Sequence, residues 1–197
     1  MQYPWVGNKY GILDNTLSGK RILIVGESHY TDDKKDIGKS IPNITQEVVR
    51  KYQSGEYRIP FFTRISTMIT GIPAWKNGEK SKELWNELSF YNYVPVIAAS
   101  GPREFEWSLW GLGENEFNTV LEDVDPDLIV VSGYRLWDNA YIRHTDGSVS
   151  GGQRVNMVTM TKNKDKLVPT LIIRHPSAPG FSGMQQHSSF KELFDSI

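Results

Sequence analysis

Cysteine is absent from the 197-residue chain. This absence excludes disulfide bonds, a thiol nucleophile and any zinc or iron–sulfur site that cysteine would hold. The chain also lacks a long apolar run, because no stretch approaches the roughly 18 residues that a membrane span needs, and no basic and apolar leader opens it. We therefore expect a cytoplasmic protein that crosses no membrane, and we expect it to be a monomer.

An excess of charge of either sign is also missing. Lys and Arg number 22 and Asp and Glu number 23, which leaves a net charge of −1. Such a chain has no global attraction to nucleic acid, so binding to DNA would need a local basic face. The four histidines, at positions 29, 144, 175 and 187, show no metal-ligand spacing. We therefore predict neither a metal site nor a cofactor.

The residues that are present indicate one globular domain covering positions 1–197. Hydrophobic residues make up 39% of the chain and aromatic residues 12%, which is typical of a folded protein. Short apolar runs between turn residues predict strands, and amphipathic stretches predict helices. The predicted strands are Arg21–Gly26, Phe90–Val96, Asp127–Gly133 and Pro169–His175; the predicted helices are Asn43–Ser54, Pro60–Ile69, Ser81–Leu88, Glu114–Val124 and Gln185–Phe194.

The alternation of these strands and helices predicts an α/β fold. The expected architecture is a three-layer α/β/α sandwich around a central, mainly parallel, four-stranded sheet. The stretch Gly147–Gly152 predicts a flexible loop, and Lys162, Lys164 and Lys166 predict a further turn.

Polar residues follow the predicted strands where each one ends. Ligands of open α/β sheets bind beyond the carboxyl ends of the strands, so these residues are candidates for one site. Taken singly, a strand-end carboxylate can be a cap and a lone histidine can be structural. The candidates are Glu27, Ser28, His29 and Tyr30 after the first strand, Asn92 in the second, and His175 and Ser177 after the fourth.

Several chemistries do not fit these residues. The segment "GESHY" places Tyr30 where a serine-hydrolase nucleophile elbow needs a glycine, and Gly26 has no glycine partners for a phosphate or dinucleotide loop. Hydrolysis of an N-glycosidic bond fits better. In that reaction a carboxylate can orient water and stabilise the cationic sugar, a histidine can stabilise the departing base, and an amide can read its edge.

Four segments of the chain, taken in order, resemble known motifs. They are "ILIVGESHY", "IPFFTRI", "YNYVP" and "RHPSAPGFS". They resemble the motifs of the uracil-DNA glycosylase superfamily: a strand followed by "GQDPYH" or "GEAPG", then "PFxG", then "NYCP" and finally "HPS" with the loop that enters DNA. The segment "PDLIVVSGYRLW" is similar to the strand that precedes the last motif.

The resemblance implies roles for the residues of the first motif. Glu27 takes the position of the glutamate in the iron–sulfur branch, although a chain without cysteine cannot hold that cluster. Ser28 replaces the water-activating aspartate of the "GQDPYH" enzymes, which leaves Glu27 as the candidate catalytic carboxylate. Tyr30 matches the tyrosine that rejects thymine, and His29 replaces the usual proline.

The other motifs imply the rest of the site. Phe61, or else Phe62, would stack on the flipped base, Asn92 would read its edge, and His175 would be catalytic by stabilising its O2. The remaining residues implied to bind DNA are those of the last loop: Ser177, Ser182, and Phe181 or else Met184 as a wedge in the base stack.

The function expected from this resemblance is that of a monofunctional DNA glycosylase. It would remove uracil or a modified pyrimidine from DNA, in repair or in defence against modified phage DNA, and no lysine at the strand ends is available for a Schiff base. The long insertion between Tyr30 and Ser89 could widen the pocket for C5-modified cytosine. Two alternatives stay open: a catalytically idle nucleic-acid-binding relative, and a hydrolase of free nucleosides or nucleotides.

Overall fold

The computed structural model describes residues 1–76, 78–145, 148–150, 153–160 and 166–197. Within these ranges the strands are β1 (Trp5–Val6), β2 (Ile22–Gly26), β3 (His29–Tyr30), β4 (Leu88–Asn92), β5 (Ile97–Ala99), β6 (Leu128–Ser132), β7 (Ser148–Ser150), β8 (Gln153–Thr159) and β9 (Leu167–Ile173). The helices are α1 (Ile44–Ser54), α2 (Pro60–Thr70), α3 (Gly78–Glu83), α4 (Gly113–Val124), α5 (Tyr134–Asn139) and α6 (Gly183–Asp195), with short 3-10 turns between them.

Seven of the strands form one sheet in the order β1-β4-β2-β6-β9-β8-β7. Its four central strands, β4, β2, β6 and β9, are mutually parallel, which confirms the prediction of a mainly parallel central sheet. The predicted number of strands is wrong, because β1 and the pair β8 and β7 add antiparallel strands at the two edges. Strand β1 has only two residues, and β8 mixes polar and apolar residues, so neither forms an apolar run.

The register of the central strands brings their carboxyl ends to one edge. Gly26 at the end of β2 lies beside Asn92 at the end of β4. On the other side of β2, Val25 pairs with Val131, and Ser132 pairs with Ile173 at the end of β9. The polar residues that follow these four strands therefore emerge side by side.

Each face of the sheet is covered by its own hydrophobic core. Successive residues of β2 alternate between the two, so that Ile24 belongs to one core and Val25 to the other. The first core contains residues of α1, α2 and α6, and the second contains residues of α4 and α5. Burial on both faces explains why the central strands are continuous apolar runs rather than alternating ones.

The largest differences from the predicted elements are at two elements that were predicted and one that was not. The helix predicted at Ser81–Leu88 is α3 and a 3-10 turn, and the chain enters β4 at Leu88. The strand predicted at Phe90–Val96 ends at Asn92, three residues before Pro95, which lacks the N–H that a strand ladder uses. Helix α5 follows β6 directly and has no counterpart in the prediction.

The loop predicted at Gly147–Gly152 contains a strand, because Ser148–Ser150 form β7 and pair with β8. The other positions of that stretch, and Lys162 and Lys164, lie outside the described residues. Among the helices that the structure describes, none is both long and apolar enough to cross a membrane.

Candidate active site at the carboxyl edge of the sheet

A pocket of about 720 Å³ opens at the edge where the parallel strands end. Every residue that the sequence predicted as catalytic or substrate-binding lines it, together with one of those predicted to bind DNA. These residues are Glu27, Ser28, His29, Tyr30, Phe61, Phe62, Asn92, His175 and Ser177. Their roles stay predictions, but residues from distant parts of the sequence do meet at one place.

The carboxylate of Glu27 is buried and accepts hydrogen bonds from two neighbours. Arg135 forks onto it, with Nε donating to Oε2 at 2.9 Å and Nη2 donating to Oε1. The Tyr30 hydroxyl donates to Oε1 at 2.5 Å. An arginine fork fixes both the position and the orientation of a carboxylate, so Glu27 is held rigidly at the pocket wall.

Contact with Glu27 changes the pKa values of Arg135 and Tyr30. Burial alone would lower the pKa of Arg135, but hydrogen bonding to Glu27 and the charge of Glu27 outweigh it and raise that pKa. Burial, and then the hydrogen bond to Glu27, raise the pKa of Tyr30. Tyr30 therefore stays a neutral phenol whose proton is directed at Glu27 and not at a ligand in the pocket.

Arg135 is the main residue of the site that sequence reasoning missed. It reaches the pocket because Gly133, at φ +138°, turns the chain sharply from β6 into α5. That backbone conformation favours glycine. The polar segment after the third predicted strand was the available signal, since it ends in the same way as the segments that supplied the other candidates. Tyr57, Ile59 and Tyr134 also line the pocket and were not predicted.

Asn92 presents its amide to the pocket from the end of β4. The residue is 5% exposed, and none of the described residues hydrogen-bonds its side chain. A Cβ on Gly26 would lie 2.2 Å from Asn92 Oδ1, so the amide occupies the space that a side chain on the neighbouring strand would need. Glycine at position 26 is therefore a steric requirement for this placement of Asn92.

Phe61 and Phe62 both line the pocket, but they pack differently. The Phe61 ring lies beside His175, with 5.6 Å between the ring centroids. Phe62 is 2% exposed and packs edge-on against Trp85, 4.6 Å between centroids. Phe61 is therefore the better candidate for stacking on a planar ligand, and it is also the residue that the sequence-based prediction placed first.

The loop after β9 defines the tautomer of His175. The backbone N–H of Ser177 donates to His175 Nδ1 at 3.1 Å, so the proton of a neutral imidazole must be on Nε2. Burial lowers the pKa of His175; the charge of Glu27 opposes this and that of Arg135 adds to it. Arg64 Nη1 donates to the carbonyl of Pro176 at 2.5 Å, which ties the loop to α2.

Two further residues of the first motif have polar groups inside the pocket wall. His29 Nε2 lies 2.9 Å from the Thr45 hydroxyl, and burial lowers the pKa of His29 to about 4, so it is neutral at physiological pH. Ser28 Oγ is buried without a hydrogen bond of ordinary geometry, and its interaction with the Tyr30 hydroxyl opposes the rise in the pKa of Tyr30. The Nε2 atom of His29 is therefore occupied by its hydrogen bond with Thr45, whereas Ser28 Oγ can still form a hydrogen bond with a ligand.

The two candidate wedges of the last loop differ in exposure. Phe181 is only 8% exposed and belongs to the core beneath α2 and α6, so its ring could not enter a base stack without leaving that core. Met184 is 44% exposed and is the large apolar side chain that this segment presents to solvent. Ser182 caps α6, since its hydroxyl accepts from Gln185 N at 3.4 Å.

The described residues contain no cluster of three His, Cys, Asp or Glu that could hold a metal ion. No protein-family model matches the sequence, and a comparison with curated proteins found no match either. The geometry of the pocket is therefore the basis on which a function can be argued.

Proposed function

We propose that this protein is a monofunctional DNA glycosylase that hydrolyses the N-glycosidic bond of uracil or a modified pyrimidine flipped out of DNA. In this proposal residues 1–197 form a single uracil-DNA-glycosylase-like domain of the α/β/α sandwich type. The observation that carries it is the convergence of Glu27, Phe61, Asn92 and His175 on one pocket. A held carboxylate, an aromatic face, a free amide and a neutral imidazole are the groups that this reaction uses.

In this mechanism His175 stabilises the leaving base. When the bond between the sugar C1′ and the base nitrogen breaks, the electron pair departs with the base and the negative charge spreads to its carbonyl oxygens. The Nε2–H of His175 is available to donate to such an oxygen, because Nδ1 already accepts from Ser177. A donor that is oriented before the reaction needs no reorganisation as charge develops.

In this mechanism Glu27 orients the water that attacks the sugar. Water forms a new bond to C1′ and gives up a proton, which Glu27 accepts and which ends on the departed base anion, while the sugar passes through a cationic state. Arg135 compensates part of the charge of Glu27, so orienting water suits this carboxylate better than electrostatic stabilisation alone. Oε2 accepts one described hydrogen bond, from Arg135, and retains a lone pair for that water.

Recognition of the base is the task of Asn92 and Phe61. A side-chain amide offers a donor and an acceptor together, which can pair with the edge of a pyrimidine, and base stacking on an aromatic ring adds about 1–3 kcal/mol. The pocket volume of about 720 Å³ lies within the range of about 300–1,000 Å³ that holds drug-sized ligands. This volume leaves room for a substituent on the base.

The assignment as monofunctional follows from the lining of the pocket. A glycosylase that also cleaves the DNA backbone forms a Schiff base, which requires an amine nucleophile. No lysine is among the described residues that line this pocket. Direct hydrolysis by water is therefore the proposed route, and an abasic site is its product.

The test is a panel of labelled oligonucleotides carrying uracil, hydroxymethyluracil, hypoxanthine, and hydroxymethylated or glucosylated cytosine, scored for abasic sites. We expect excision of at least one pyrimidine, unchanged by a chelator. We expect His175→Ala to lower the single-turnover rate about 10²- to 10³-fold, as for a lost oxyanion donor, and Glu27→Gln to lower it as well. Excision of no base on the panel, or a rate restored only by added metal, would contradict the proposal.

One observation favours a second candidate, a catalytically idle nucleic-acid-binding relative. Both oxygens of Glu27 already accept hydrogen bonds, and Ser28 carries no carboxylate. Such a protein would bind the oligonucleotides of the panel without releasing a base under single-turnover conditions. A hydrolase of free nucleosides would instead release base from a mononucleoside, and Met184→Ala would not slow it.

A further inference from the structure

A second groove, of about 750 Å³, lies directly beside the candidate active site and shares Tyr57 and Ile59 with it. Nothing in the proposed chemistry of the active site uses this groove. We call it the flanking groove. The residues of interest in its lining are Tyr57, Arg58, Arg64, Trp75 and Lys82.

We propose that the flanking groove binds the single-stranded DNA segment that continues from the flipped nucleotide. The inference rests on the proposed function for the identity of the strand, but its physical basis is separate. It rests on the combination of cations and exposed rings in one groove, and on the continuity of that groove with the pocket.

The first argument is charge. Arg58, Arg64 and Lys82 supply three cations in a chain whose net charge is −1. Arg64 donates to the Pro176 carbonyl, which is uncharged, so its positive charge stays uncompensated there. Lys82 pairs with Glu79 at 3.0 Å, but Glu79 is 83% exposed. Such exposed pairs are worth little, and a phosphate can replace the carboxylate.

The second argument is the exposed aromatic surface. Trp75 is 81% exposed and Tyr57 is 45% exposed, which is unusual for rings of this size. The Lys76 ammonium lies 4.9 Å from the centroid of the Trp75 ring, which adds a cation at the rim. Exposed rings interleaved with cations form the stacking platform and electrostatic groove of proteins that bind single strands. An acidic peptide would use the cations but not the rings.

The third argument is position. Tyr57 and Ile59 line both cavities, so a strand whose flipped base occupies the pocket can run into the groove without a break. Every described residue that lines the groove belongs to the insertion between Tyr30 and Ser89, Trp75 and Lys82 among them. This insertion thus gains a role in holding the strand, and not only in shaping the base pocket.

The experiment measures binding of fluorescein-labelled dT10 by fluorescence anisotropy. This probe contains no uracil, so the readout does not depend on base excision. We expect Trp75→Ala to weaken binding about tenfold, the effect of losing one stacked base, and Arg58→Ala to reduce the salt slope by about 0.7. The matched control is Trp107→Ala, because Trp107 is 64% exposed and lies outside both cavities.

Three results would overturn the inference. One is equal binding by the Trp75 and Trp107 variants, and another is a salt slope that Arg58→Ala and Lys82→Ala leave unchanged. The third is displacement of dT10 by polyglutamate at equal charge concentration with no dependence on Trp75. Excision of uracil with any of these results would leave the proposed function intact. If the protein excises no base but Trp75→Ala loses dT10 binding, the result would contradict the proposed function and would support strand binding in the flanking groove.

Discussion

Arg135 donates two hydrogen bonds to Glu27, through Nε at 2.9 Å and through Nη2, at the edge of the sheet where the strand-end residues converge. The Glu27 side chain is 9% exposed and the Arg135 side chain 38% exposed, so the pair is buried on one side only. Removing one partner of such a pair leaves the other charge without compensation.

This pair leads to the first prediction. Arg135→Ala should lower the free energy of unfolding by about 1–3 kcal/mol, less than the cost for a fully buried pair because Arg135 is partly exposed. Urea unfolding measures the change. The control is Arg154→Ala, which removes an exposed pair with Asp138 and should cost less than about 1 kcal/mol. Equal losses in the two variants would show that Arg135 adds nothing beyond a surface contact.

The second prediction concerns pH and His29. The unfolded chain protonates this histidine near pH 6.5 and the folded chain only near pH 4, because burial disfavours the charged form. The stability that depends on neutral His29 is therefore complete above about pH 6.5. It is lost progressively as the pH falls to about 4, by about 3 kcal/mol in all.

His29→Gln should flatten this part of the stability profile, since glutamine does not titrate and can still hydrogen-bond Thr45. Urea unfolding at a series of pH values between 7 and 4 follows the effect. His144→Gln is the matched control, because His144 is exposed. A profile that is equally steep with and without His29 would rule out its burial as the cause.

The third prediction tests the placement of the Asn92 amide by a substitution at Gly26, so that Asn92 itself is not replaced. Gly26→Ala puts a methyl group 2.2 Å from Asn92 Oδ1, so the amide has to move. We expect the variant to lose discrimination between bases and to excise more slowly, while dT10 binding in the flanking groove persists. Gly111→Ala is the control, since a Cβ there meets nothing within 4 Å. Unchanged base preference in Gly26→Ala would mean that Asn92 does not read the base.

The fourth prediction separates the two apolar residues of the last loop. Phe181→Ala should lower the free energy of unfolding by about 3–5 kcal/mol, because it empties a core site. Met184→Ala should change stability by less than about 0.5 kcal/mol, as an exposed substitution does, and should slow excision from duplex more than from single strand. Unfolding and single-turnover assays on both substrates decide it. Slowing specific to duplex in the Phe181 variant alone would reverse the assignment.

The location of the candidate site could be predicted because it depends on few physical rules. Buried parallel strands read as apolar runs, and parallel strands end at the same edge. Glu27, Asn92 and His175 each follow or end such a run, so their meeting at one pocket follows from the order of elements. Helices α1, α2, α4 and α6 were also predicted to within about two residues at each end, because their apolar periodicity is a local property of the chain.

Only the tertiary structure decided which side chains pair and which are buried. Nothing local in the sequence links Arg135 to Glu27, because the link depends on how Gly133 turns the chain across the sheet edge. Phe181 and Met184 are both apolar residues of one segment, and the packing of α6 against α2 leaves one inside and one outside. The sequence by itself determined the four central strands and the edge where they end, since those depend on local patterns. Pairing and burial depend on long-range contacts, which exist only once the chain has folded.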